Sequence, residues 1–250
     1  MKGTGSCSTT SPGLSEMDGD WYYLLRVYDM RHVDAVAIDS YLQDAFMPAV
    51  KRLGVGPVGV FTGWAGEQSL TGRYVLFGSE SLDLLANLDR ALAEDGDHER
   101  RGAGFLAADT GRPAFARLKS TLIRALPGLP RLHTPPSLVG RAGRLFELRT
   151  YEQPTQETHL RKSQMFVEVE HAMLGRAGFD GVMYGQDLVG DRLPRITYLW
   201  CYPDLAARQR AEEEFFGDAA ARSMFQDPRW AGIPSAIANT IIRPTPYSDL

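Results

Sequence analysis

Apolar and polar positions along the chain form strand-like and helix-like stretches in a fixed order. Leu25-Arg26-Val27-Tyr28 predicts an opening strand. Ile38, Leu42, Ala45, Ala49 and Leu53 then recur at helical spacing, and Gly54 supplies a C-terminal stop. Pro48 falls inside this stretch and predicts a kink or restart. Val58-Gly59-Val60-Phe61 and Tyr74-Val75-Leu76-Phe77 predict two more strands. Ser81 suits the N-cap of a helix carrying Leu84, Leu85, Leu88 and Leu92 on one face. Thr121-Leu122-Ile123-Arg124 closes the series.

The same series then runs again. Leu148-Arg149-Thr150-Tyr151 matches the opening strand. Met173 to Gly178 matches the glycine-ended helix, and Gly181-Val182-Met183-Tyr184 the strand after it. Tyr198-Leu199-Trp200-Cys201 and Thr240-Ile241-Ile242-Arg243 match the last two strands. Between the last two, Asp204 caps a helix from Leu205 to Phe216, and Gly217 ends it. The offset stays between 119 and 124 throughout, which chance does not readily give. The predicted fold is α+β: two tandem ferredoxin-like repeats of β-α-β-β-α-β order. The segments are a disordered tail (1–20), a first domain (21–126), a Pro-rich linker (127–144) and a second domain (145–250).

Each repeat would be a sheet with helices on one face only. Strand alternation puts Phe146, Leu148 and Thr150 on one side and Glu147, Arg149 and Tyr151 on the other. The first set suits the helix side, so the second is expected to face the open side. The open faces of the two repeats would cover each other and enclose a shared interior, a pseudodimeric α/β barrel. Edge strands in such an architecture invite pairing between chains, so a homo-oligomer is also expected.

Composition narrows the function classes. The 250 residues carry a net charge of −4, with no basic face of the kind nucleic-acid binding needs. No apolar run reaches the length of a membrane span. The two cysteines, Cys7 and Cys201, give neither a disulfide framework nor a Cys-based metal site. The expected compartment is the cytoplasm.

Phe146-Glu147-Leu148-Arg149-Thr150-Tyr151, Tyr198 to Arg208, Asp227-Pro228-Arg229-Trp230 and Ile242 to Ser248 resemble the NIPSNAP family. The first copy resembles it through its opening strand, the helix with Pro48 and the turn and strand from Gly54 to Phe61. The stretch from Glu94 to Arg112 departs from the pattern and reads as a loop. The resemblance implies a dimeric α/β barrel and a role in protein interaction, without an agreed reaction. Where the family often has a His in the third strand, this chain has Tyr198, which puts any role for that His in doubt.

Candidate chemistry rests on a few polar and aromatic positions. Arg26 and Arg149 occupy equivalent strand positions; guanidinium groups suit planar anions, and the plainer role is an ion pair, for Arg149 with Glu147 or Glu152. Tyr28, Tyr151, Tyr184, Tyr198 and Trp200 would line a pocket for a flat, partly apolar ligand, or pack as core. His171 reads as a solvated helix residue, with haem ligation as the alternative. The Glu212-Glu213-Glu214 run reads as a solvated helix face. There is no HExxH motif, phosphate loop or nucleophile elbow, so neither metal nor cofactor is assigned. The sequence thus points to a NIPSNAP-like protein that binds a small molecule or a protein partner. The alternative is a cofactor-independent oxygenase or isomerase acting on a small aromatic or carbonyl compound in the barrel interior, with Arg149 holding an oxyanion.

Overall fold

The computed structural model describes residues 20–31, 35–66, 71–109, 111–129, 131–233 and 235–250. The expected tail, apart from Asp20, lies outside the described residues, as does Cys7. The first half runs β1 (Tyr22–Asp29), α1 (Ala35–Tyr41), a π-helical turn (Leu42–Phe46) and α2 (Met47–Arg52). It continues with β2 (Val58–Gly66), β3 (Arg73–Ser79), α3 (Leu82–Ala86), α4 (Leu88–Ala93), α5 (Gly96–Leu106) and β4 (Arg117–Ala125). The second half runs β5 (Leu145–Glu152), α6 (Gln156–Met165), a π-helical turn (Phe166–Glu170) and α7 (His171–Ala177). It ends with β6 (Asp180–Val189), β7 (Arg195–Tyr202), α8 (Leu205–Gly217), α9 (Ala219–Gln226) and β8 (Ala236–Pro244).

The strands form a closed antiparallel barrel in the order β1-β3-β2-β8-β5-β7-β6-β4. The fourth strand of each half pairs with the first strand of its own half and reaches the other half: β8 pairs with β5 and β2, and β4 with β1 and β6. The pairing between halves therefore takes place within one chain. It also satisfies every sheet edge, so the edge-strand argument for a homo-oligomer no longer applies. No helix among the described residues is long and apolar enough to cross a membrane.

Local signals behave largely as the sequence dictates. Ser81 Oγ accepts from the Leu84 N–H at 3.1 Å, and Asp204 Oδ1 from the Ala207 N–H at 2.7 Å. Gly54 and Gly178 end the first helices of the two halves in the left-handed region, at φ 77° and 98°, where a Cβ would be strained. Pro48 lies just after the π turn, inside a helix that runs on through Phe46 and Met47 in right-handed helical conformation, so the helix continues past it rather than restarting. The second half has a π turn at the matching place without a proline, so the proline is not its cause.

The stretch expected as a loop, 94–112, instead contains α5. Asp95 caps it by accepting from the Asp97 and His98 N–H groups, and Phe105 stacks on Tyr41 at 4.3 Å. The expected linker is not a simple spacer either, because Leu132 and Leu138 are buried in one end of the barrel together with Leu250.

The facing of the strands reverses the expectation. Phe146 and Leu148 point into the barrel, where they pack with Leu25, Phe61, Leu76, Ile123, Leu199 and Ile242. Glu147, Arg149 and Tyr151 lie on the other side, under the helices. The reason is partner supply. The barrel interior is drawn mostly from apolar strand positions, and an ion pair borne by strands on that face, Arg195–Asp187, is satisfied by Thr121 and Thr197 of neighbouring strands. The helices bring carboxylates and guanidinium groups that can satisfy a buried charge.

Candidate functional site

The structure brings together five of the seven sequence-predicted site residues. Arg149, Tyr151, Tyr184, Tyr198 and Trp200 lie in one layer, between the sheet of the second half and α6, α7 and α8. Arg26 and Tyr28 lie in the corresponding layer of the first half. None of the seven lines the barrel interior, so an interior pocket built from them is corrected. A β-bulge between Gly181 and Met183 explains the place of Tyr184: Val182 and Met183 both turn inward, and Tyr184 comes out under the helices.

The rings of the layer form a continuous set. Tyr198 is stacked on Phe166 at 4.1 Å and lies 5.3 Å from Tyr151, 5.6 Å from Tyr184 and 5.4 Å from Trp200. At one end of this set sits a charged network. Glu147 is fully buried and receives Arg149 Nε at 2.9 Å and Nη2 at 2.5 Å on Oε1, and Arg208 Nε at 2.7 Å on Oε2. Glu212 receives Arg149 Nη2 at 3.0 Å and Arg208 Nη2 at 2.9 Å. The expected pairing of Arg149 with Glu147 is therefore present, and Glu212 turns inward rather than lying on a solvated face. The Arg149 guanidinium also lies 5.0 Å from the Trp200 ring.

A second ion pair lies above Tyr151. Lys162 Nζ donates to Glu170 Oε2 at 2.6 Å with both side chains buried, and the ammonium sits 5.0 Å from the Tyr151 ring. Glu147, Lys162, Glu170, Arg208 and Glu212 were not among the predicted site residues. The repeat itself carries a signal that could have found them. At one constant offset, Leu24 stands for Glu147 and Leu85 for Arg208, while Arg26 and Asp89 keep the Arg149–Glu212 pair. In the first helix, where the offset is one larger, Ile38 and Phe46 stand for Lys162 and Glu170, and both are fully buried. A charged residue in one copy opposite a buried apolar one in the other marks a layer with a different task.

The electrostatics favour neutral donors beside fixed charges. Burial pushes the Tyr151 phenol up to about 12, with Arg149 pulling it the other way, and burial pushes Tyr184 up to about 12. Burial raises Tyr198 well above the ordinary phenol range, and neighbouring Glu170 adds to it. Burial opposes the charge of Arg149, but Tyr151 and Glu147 outweigh it and hold the guanidinium charged. Burial lowers His159, which stays neutral near pH 7. Several polar atoms of the layer meet no partner within the protein, among them Tyr198 Oη, Trp200 Nε1 and His159 Nδ1. The layer can therefore donate a hydrogen bond from Tyr198 and accept one at a neutral imidazole. His171 opens α7, half-buried, with its ring 6.2 Å from Phe166. No cluster of metal-ligating side chains occurs among the described residues.

Two open grooves flank this layer. One, of about 420 Å³, lies between the second π turn with α7 and the α9 segment, with Met173, Met224 and Trp230 in its lining. The other, of about 350 Å³, lies beside Asp180 and Arg210.

Solved structures with the same fold include two proteins provisionally named monooxygenases. One, from Fusobacterium nucleatum, is 11% identical, with a TM-score of 0.59 over 91% of this chain and 94% of its own. The other, from Lactobacillus acidophilus, is 8% identical, with a TM-score of 0.55 over 91% and 94%. A NIPSNAP-like domain protein from Burkholderia xenovorans is 20% identical over 42% of this chain and 88% of its own, with a TM-score of 0.38. At these identities the likeness concerns the fold alone. No curated protein sequence matches the chain. Residues 146–249, which span the half that holds the charged aromatic layer, match the sequence profile of the NIPSNAP family.

Proposed function

We propose that the protein binds a small, flat, partly apolar molecule with an acceptor oxygen, in the layer between β5–β7 and the helices of the second half. We read the barrel as two ferredoxin-like repeats, 21–126 and 145–250, of which the first serves the fold and the second the ligand. The observation that carries the reading is the contrast at equivalent positions. The second half buries Glu147, Lys162 and Glu170 and half-buries Arg208 where the first half buries Leu24, Ile38, Phe46 and Leu85. Desolvating charges is costly, and a largely apolar layer holds the first half together with the Arg26–Asp89 pair in place of the larger network. A fold that needed only packing would have no use for the charged version.

The ligand would take the place of the Phe166 ring, which now covers Tyr198. Phe166 begins the π turn, an irregular segment of a kind that often marks functional sites. Tyr198 Oη would donate to the ligand oxygen, and the surrounding rings would hold its flat faces.

The test uses 6-propionyl-2-(dimethylamino)naphthalene, a flat ketone whose emission reports burial. Binding to the native protein is expected. Tyr198→Phe should weaken it about tenfold, the worth of one buried hydrogen bond. Tyr28→Phe, in the layer of the first half, should leave it unchanged. Equal binding by Tyr198→Phe and native protein would overturn the reading.

A second reading, a cofactor-independent oxygenase or isomerase acting on the same kind of compound, finds support in His159. Its Nδ1 is unpaired and its imidazole is neutral, as a general base requires. Turnover of the bound ketone or its enolisable analogues, lost in His159→Gln, would favour it over simple binding.

A further inference from the structure

The groove between the second π turn and α9 borders the charged layer from outside. Its lining includes Val169 of the π turn, Met173 of α7, Ala220, Ser223 and Met224 of α9, and Trp230. Met224 and Trp230 are also members of the buried cluster that contains Tyr151, Tyr198 and Trp200. The π turn is thus shared: Phe166 and Glu170 face the layer, and Val169 faces the groove. From this continuity we infer that the groove is a second subsite of the same ligand, taking a neutral, flexible apolar extension such as an acyl chain. The inference rests on the proposed binding at the layer.

Three features argue for that chemistry. Met173 and Met224 give the groove soft, unbranched walls, which adapt to a chain better than β-branched or aromatic ones do. The charged lining residues neutralise each other, since Arg229 Nη2 donates to Asp227 at 2.8 Å, so the groove presents no net charge for an ionic ligand. Trp230 is 7% exposed and its Nε1 meets no partner within the protein. That donor is one a carbonyl or ether oxygen at the junction of head and chain would satisfy.

The test compares two probes with the same naphthyl ketone head, the propionyl compound and its hexanoyl homologue. In the native protein the hexanoyl probe should bind about tenfold or more tightly, because three further methylenes are removed from water. Ala220→Trp and Ser223→Trp, at exposed positions of α9, should fill the groove and leave the core intact. Either should abolish the gain of the longer probe while leaving the propionyl affinity unchanged. An equal affinity of the two probes for native protein, or a gain that survives both tryptophan variants, would overturn the groove subsite. In that case propionyl binding that still depends on Tyr198 would leave the layer reading standing. Failure of both probes to bind would sink the layer reading and the groove subsite together.

Discussion

The two halves of the barrel share one order of elements, one register logic and a π turn at the matching place of their first helix, yet they fill the space between sheet and helices by opposite means. In the first half, Leu24, Leu85, Ile38 and Phe46 pack as an apolar layer, with the Arg26–Asp89 pair at its margin. In the second, Glu147, Arg208, Lys162 and Glu170 occupy the same places and satisfy one another. The difference teaches that the fold itself does not require the charges. Packing that is largely apolar suffices in the first half, and the charged version in the second supports the proposed binding role of that layer.

The comparison breaks most readily at Glu147. Glu147→Leu alone leaves Arg149 and Arg208 with one shared carboxylate, and should cost about 3–5 kcal/mol of unfolding free energy in denaturant titrations. Adding Arg208→Leu installs the arrangement of the first half and should recover most of that loss. A double variant as unstable as the single one would mean that the two halves are not interchangeable solutions to the same packing problem.

A smaller effect sharpens the contrast from the functional side. Tyr198→Phe removes a buried hydroxyl that has no partner and should raise stability by about 1 kcal/mol while weakening ketone binding. Stability and binding moving in the same direction would argue that Tyr198 is a packing residue.

The smallest effect is a pH dependence confined to the second half. Burial holds His159 below its ordinary value, about 6.5, so the unfolded chain binds the proton first as pH falls. Stability should therefore fall as pH drops through about 6.5 and level off below the folded-state value. His159→Gln should remove that part of the pH dependence of the thermal midpoint. A midpoint that keeps its full dependence in the variant would assign it to other groups.

The amino-acid sequence by itself determined the duplicated order of elements, the glycine stops at Gly54 and Gly178 and the caps at Ser81 and Asp204, and it narrowed an ion-pair partner of Arg149 to Glu147 or Glu152. These depend on neighbours within a few residues or on matching of the two copies, and local chemistry records them. It missed α5 although Asp95 matches Asp218, the cap of α9, at the offset of 123, because the stacking of Phe105 on Tyr41 that anchors this helix is a contact between distant residues. Only the tertiary structure decided which face of each strand turns inward. β5 is buried on both faces, so alternation separates its residues into two sets without saying which set meets the helices. Closure of the barrel settles that. The interior is filled mainly from the strands, while the helices reach across to the other face with Arg208, Glu212, Lys162 and Glu170, and a buried charge goes where its partner is.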